Sequence, residues 1–272
     1  MVNNIDRVIE TSWLQKNNCN VFLIGEVHKP HQKCKPVLEM FKSLIQQNSK
    51  LRLDIDVFVE IFQHDTVDVL DKHKVPKKDV QMNHVRKYFN KCFTEHNCPM
   101  RIHWADPTQT NLEKNIEPWL LELSRYSFVF FTDHWSKNKK ITSFFNKEED
   151  IPRLLTDNRV VVKEITKANA INPHFTLDFA TKLFMKFYLR NKEKYLKKYN
   201  KLNWKHLVTN QLRLVIDFYV AARIIKSDMK NVIYYAGYAH TTNITTILKD
   251  LDFKVKESVS GKCYDPFEPF FL

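Results

Sequence analysis

The sequence predicts an α/β fold: a largely parallel sheet flanked by helices, with a helical insertion in the second half. Three observations predict it. Short, continuous apolar runs, as expected of strands buried on both faces, alternate with segments whose apolar residues recur at helical spacing. The first run-helix-run unit, from Val21 to Phe62, has the length of a right-handed crossover between parallel strands. Two of the three glycines in 272 residues, Gly25 and Gly237, each close an apolar run and precede a helical pattern.

The elements follow in order. Residues 21–24 (Val-Phe-Leu-Ile) form the first strand, ending at Gly25-Glu26-Val27-His28. Val37, Leu38, Phe41, Leu44 and Ile45 mark a helix, with Pro30 and Pro36 limiting its start and Asn48-Ser49 closing it. Residues 56–62 (Asp-Val-Phe-Val-Glu-Ile-Phe) read as a second buried strand. Val80, Val85, Tyr88, Phe89, Cys92 and Phe93 lie at helical spacing, before a strand at 100–106. A helix over 112–123 leads to a strand at 127–132. Residues 135–175 are polar and irregular, with a strand-like stretch at 160–165. Long helices are expected near 176–199 and 204–228. A strand at 232–236, a helix near 242–250 and a short strand at 253–255 end the pattern. This reads as one α/β domain over 1–272, with a strand–helix core at 15–134 and 205–258 and an irregular, helical insertion at 135–204.

Composition excludes several functions. An average chain of this length would carry about 19 glycines. With only Gly25, Gly237 and Gly261 the sequence contains no dinucleotide fingerprint, no P-loop and no G-x-S-x-G nucleophile elbow. The opening MVNNIDRVIETSW has no apolar signal core, and the longest apolar stretch, LVIDFYVAARII, is broken by Asp217 and too short to span a bilayer. Five cysteines (Cys19, Cys34, Cys92, Cys98, Cys263) show no repeated spacing, so the expectation is a reduced, intracellular, cytoplasmic protein with free thiols. Abundant Lys, Asn, Ile and Phe point to an AT-rich genome, such as that of a large DNA virus or a parasite.

The net charge of +12 is uneven. Between Lys186 and Lys205 eight basic residues face Glu193 alone, so this window carries +7 of it. Tyr188, Tyr195, Tyr199 and Trp204 are interleaved. Such a stripe could grip a phosphate backbone and stack bases. It also reads as the solvated, lysine-rich end of a long helix.

Chemistry-bearing residues collect where apolar runs end, and in open parallel sheets sites lie beyond the carboxyl ends of the strands. Glu26 and His28, Glu60, Asp106, Asp133-His134 and His240 fall there. Gly25-Glu-Val-His28 and Gly237-Tyr-Ala-His240 repeat one G-x-x-H pattern in the same strand-to-helix context. Glycine there permits φ > 0 or close backbone approach, turning the histidine back over the sheet edge.

The IGEVH stretch resembles the G-E-x-H signature of the superfamily of ChaN-like haem-uptake proteins, erythromycin esterases and TraB/Tiki proteins. NVIYYAGYAHTTNITTILKDLDFKVKE is similar to the TraB/Tiki ending, and Glu60 and MRIHWAD fall where erythromycin esterases carry acidic strand ends. The resemblance touches about 1–106 and 205–256. His31 follows His28 more closely than in the ChaN-like pattern, Trp104 replaces a glycine, and Asp217 stands near the helix position of the TraB/Tiki arginine–asparagine pair.

Two imidazoles with one or two carboxylates suffice to bind Zn²⁺, Mn²⁺ or Fe²⁺, and a bound metal would supply hydroxide near neutral pH. The Tiki-like branch implies metal-dependent peptidase chemistry. The erythromycin-esterase branch implies a histidine base activating water directly, and the ChaN-like branch implies haem or iron binding without turnover. His28 and His240 are the candidate ligands or bases, Glu60 a ligand or orienter, Glu26 a second acid/base, and Asp106 a supporting ligand. The expected function is hydrolysis of an ester or amide bond in a small-molecule or peptide substrate. Each residue also has a structural use: Glu26 as a helix cap, and Asp106, before Pro107, as a turn initiator. Arg213 and Asp217 read as an i,i+4 ion pair. Cys92-x3-His96-x-Cys98 carries metal-capable atoms without a second pair at finger-like spacing.

Overall fold

The computed structural model describes residues 10–26, 37–51, 53–59, 85, 87–89, 91–92, 98–105, 147–200 and 204–259. The chain divides into two compact units, Met1–Ala105 with Ser227–Leu272, and Asp106–Lys226.

The first unit holds a mixed, mostly parallel sheet. Its strands are β1 (Glu10–Lys16), β2 (Cys19–Glu26), β3 (Ile55–Val59), β4 (Arg101–Trp104), β5 (Asn231–Gly237) and β6 (Lys254–Val259), in the order β4-β3-β5-β2-β1-β6. The four strands β4, β3, β5 and β2 are mutually parallel, and β1 runs antiparallel to both β2 and β6. β5 arrives late in the chain yet lies between β2 and β3, so those two are not neighbours.

β1 was not expected from the sequence. Of its residues only Trp13 and Leu14 are apolar, and the stretch shows no clean alternation. The readable signal was Asn17-Asn18, a two-residue hairpin loop with Asn17 at φ 52°, a conformation asparagine tolerates better than most residues. The outer strand β6 exposes Lys254, Lys256 and Glu257, charges that suit an unpaired edge.

Each face of the sheet is covered by a helix. α1 (Val37–Leu51) sets Val37, Met40, Phe41 and Leu44 on Phe22, Ile24, Val57, Val59, Ile233 and Tyr235. Helical residues Val85 and Phe89 complete this core, with Phe41 edge-on to Phe89 at 5.0 Å and to Tyr235 at 5.8 Å between ring centroids. The helix runs past the expected stop at Asn48-Ser49. Asn48 is fully buried and serves the next turn instead: its side chain accepts from Leu53 N at 2.6 Å and donates to Leu53 O and Pro99 O.

The second unit is helical where described: α2 (Arg153–Thr156), α3 (Arg159–Asn169), α4 (Leu177–Tyr199) and α5 (Trp204–Ile225). The strand expected at 160–165 is wrong; these residues lie inside α3. The β-branched run Val160-Val161-Val162 misled, but Val161, Ile165 and Ala168 are the buried positions and fall at helical spacing. Asn158 fixes the start by accepting from Val161 N, and Thr176 caps α4 by accepting from Phe179 N at 3.0 Å. The long helices expected near 176–199 and 204–228 are α4 and α5. Residues 214–222 of α5 are all buried, as for a helix packed on every side. No helix among the described residues is long and apolar enough to cross a membrane.

The helix expected at 112–123 and the strand at 127–132 lie outside the described residues.

Candidate functional site at the sheet rim

β5 leads directly into α6 (Tyr238–Lys249), which packs over β5, β2 and β1. α1 and α6 take opposite faces. Ile24 points into the α1 core, whereas a Cβ on the next residue, Gly25, would meet Thr241 Oγ1 at 2.4 Å and Tyr238 Cα at 3.2 Å. Gly25 is therefore required for close approach of the α6 N-terminus. Gly237 is not held by a glycine-only conformation: its φ is −63° and ψ 146°, extended backbone open to any residue.

The two G-x-x-H segments start side by side. In the parallel register Gly25 pairs with Ala236 and Glu26 with Gly237. The chain leaves β2 toward β3 and leaves β5 toward β6 on the far side, so their shared end is a topological switch point. β3 and β4 end at the same level: Val59 pairs with Tyr235, and Ala105 N donates to Val59 O at 2.8 Å.

Of the expected site residues, Glu26 and His240 are described and both are buried. Glu26 accepts a hydrogen bond from the Tyr235 hydroxyl. His240 lies in the first turn of α6, three residues beyond the partner of Glu26. His28, Glu60 and Asp106 lie outside the described residues, as do His31, Asp133, His134 and His96. Val59 and Ala105, which immediately precede Glu60 and Asp106 in sequence, are at the rim.

The structure adds Glu10, which sequence reasoning missed. Glu10 pairs with Gly25 across the antiparallel ladder and so shares the α6 face. Burial pushes its carboxyl above the ordinary value, opposed by a hydrogen bond from the Tyr238 hydroxyl. Its Oε2 is buried with no hydrogen-bond partner among the described residues. Tyr235 was missed too. The signal was available, since a tyrosine in a buried strand needs a partner for its hydroxyl.

A third polar cluster lies at the opposite end of the strands. Asp56, 2% exposed, is level with Val21, five residues before Glu26, about 16 Å from the rim at strand rise. Arg101 donates to it twice, from Nε at 2.6 Å and Nη2 at 2.8 Å. His103 Nε2 lies 3.1 Å from Oδ1, and the Ser227 hydroxyl donates to Oδ2. Burial alone would raise the Asp56 pKa, but the hydrogen bonds from His103, Arg101 and Ser227 outweigh it and hold the carboxyl well below the usual range. His103 also stacks on Phe58 at 4.8 Å, and Arg101 reaches Asp228. Its acceptors are filled, so this cluster joins β3, β4 and the 227–228 turn.

Among the described residues no group of three or more His, Cys, Asp or Glu is placed to hold a metal ion. Glu26 and His240 are two donors, one fewer than the protein ligands of a catalytic zinc site. Cys19, Cys92 and Cys98 are free thiols among the described residues. Burial pushes the Cys19 and Cys98 thiols up to about 11, making them poor nucleophiles.

Compared with protein-family models, curated proteins and solved structures, the chain matches none.

Proposed function

We propose that the protein is a hydrolase working at the switch point between β2 and β5. One observation carries this reading: the register that sets Gly25 beside Ala236 and Glu26 beside Gly237, bringing the starts of both G-x-x-H segments to one rim. The resemblance of those segments to the ChaN/erythromycin-esterase/Tiki superfamily favours an ester or amide substrate.

His240 serves as general base, taking a proton from the attacking water. Tyr235 orients the Glu26 carboxylate on the α1 side of the rim, from where Glu26 steadies the attacking water. Glu10, whose carboxyl burial keeps protonated to higher pH, gives its proton to the leaving group. His28 and Glu60 complete the set. If Zn²⁺, Mn²⁺ or Fe²⁺ binds, His28, His240, Glu60 and Asp106 are its ligands, and the ion would lower the pKa of a bound water.

The test is a screen of ester, amide and phosphoester substrates, with and without added divalent metal, beside the double variant His28→Ala/His240→Ala. Loss of a general base costs about 10²–10⁴-fold in rate. Equal activity in both proteins would overturn the proposal. Metal analysis of the same pair separates the two hydrolytic routes, since unchanged stoichiometry removes the histidines as ligands. A Soret shift on haem titration, without turnover, would favour the haem-binding branch instead.

A further inference from the structure

α4 changes character halfway along. Its first half buries Ala180, Leu183, Phe184, Phe187 and Tyr188, but no residue from 189 to 200 is buried. In this second half Leu189 is 51% exposed, Leu196 36% and Tyr199 52%. Their spacing of seven and three residues puts them on one side of the helix. Of the exposed basic residues, Arg190 and Lys197 flank this side about a quarter-turn round the helix, while Lys194 and Lys198 face away from it. The one acid in the stretch, Glu193, is engaged by Lys197 at 2.6 Å.

We propose that this half of α4 docks on an anionic lipid surface. Three features select that occupant. A second copy of the chain would set this concentration of positive charge against itself. Nucleic acid would be gripped through aromatic faces, but Tyr188 is fully buried, Tyr195 and Tyr199 pack on each other at 4.7 Å, and Lys198 covers Tyr199 at 5.0 Å. The groups projecting between the lysines include two leucines, which neither stack on bases nor bond phosphates. At a bilayer interface the same set is complementary: leucine and tyrosine enter the headgroup–acyl boundary while lysine stems lie along it with their ammonium groups at lipid phosphates.

The experiment is co-sedimentation of the full chain with phosphatidylcholine vesicles, with and without phosphatidylserine. Binding is expected only when phosphatidylserine is present, and should weaken as salt rises. Arg190→Gln/Lys197→Gln should weaken it roughly thirtyfold, at about fivefold per basic residue near an anionic surface. Leu189→Gln/Leu196→Gln, which keeps every charge, should weaken it as well. All four positions are exposed, so the variants retain the packed half of the helix. Absence of binding to phosphatidylserine vesicles, or equal binding to both vesicle types, overturns the proposal. So does full binding by the leucine variant, or tighter binding of a single-stranded oligonucleotide lost in the Arg190/Lys197 variant, which assigns the face to nucleic acid.

Discussion

Asp56 and Glu10 are acidic side chains drawn into the same sheet, one where the parallel strands begin and the other at the rim where they end. Asp56 is met by a guanidinium, an imidazole and a hydroxyl; Glu10 receives the Tyr238 hydroxyl and keeps one buried oxygen without a partner among the described residues. The two carboxyl pKa values move in opposite directions as a result. A saturated carboxylate fastens strands together. An unsaturated one is costly to keep, and natural chains tolerate such a cost mainly where chemistry needs it.

The largest way to break this contrast is Asp56→Ala. It removes the buried acceptor shared by Arg101, His103 and Ser227 and should cost about 2.5 kcal/mol in urea unfolding, while the proposed hydrolysis, measured well below the new midpoint, stays unchanged. Activity that fell with Asp56 in a still-folded protein would erase the distinction between the two ends. Gly25→Ala comes next, at about 2 kcal/mol, because its methyl runs into α6. Adding Thr241→Ala removes the nearest atom, so the double variant should be less unstable than the sum of the singles.

Tyr235→Phe should cost about 1 kcal/mol in stability and depress kcat more than KM if Glu26 is a working carboxylate.

The smallest effect in stability is the most diagnostic. Because the folded-state pKa of Asp56 is lowered, its stabilisation is present above about pH 4, the unfolded value, and is lost as pH falls below it. Glu10 has a raised pKa, so the folded form holds its proton more tightly, and stability declines as pH rises through the unfolded toward the folded value. Glu10→Gln should therefore slightly raise the urea midpoint at neutral pH while lowering hydrolysis. A variant that loses stability and keeps activity would make Glu10 a structural residue like Asp56.

How much of this was legible depends on pattern length. Strands β2, β3 and β5 and helices α1, α4 and α5 were readable because uninterrupted apolar runs and apolar helical spacing are strong signals. β1 was not, since its pairing is set by a two-asparagine loop and by partners far along the chain. α3 was misread because local β-propensity in Val160-Val161-Val162 competes with a helical period visible only over ten residues. At the site, the G-x-x-H segments pointed to the rim where the structure places Glu26 and His240, both buried. Glu10 was invisible, since nothing in a sequence shows that an acid near residue 10 will lie across from Gly25. Asp56 with Arg101 and His103 was equally hidden: alternate positions on β4 become partners only once β3 and β4 pair.

The placement of β1 has a consequence for biosynthesis. Ser12 meets Ser258, and β2 has no parallel neighbour until Asn231 and the residues after it have left the ribosome. The nascent chain must therefore carry the β1–β2 hairpin with both flanks open until β5 and β6 have been made. Long-range closure of this kind slows folding and exposes sticky strand margins on the way, so yield of native protein should depend on temperature and chaperone supply far more than the finished molecule's stability would suggest.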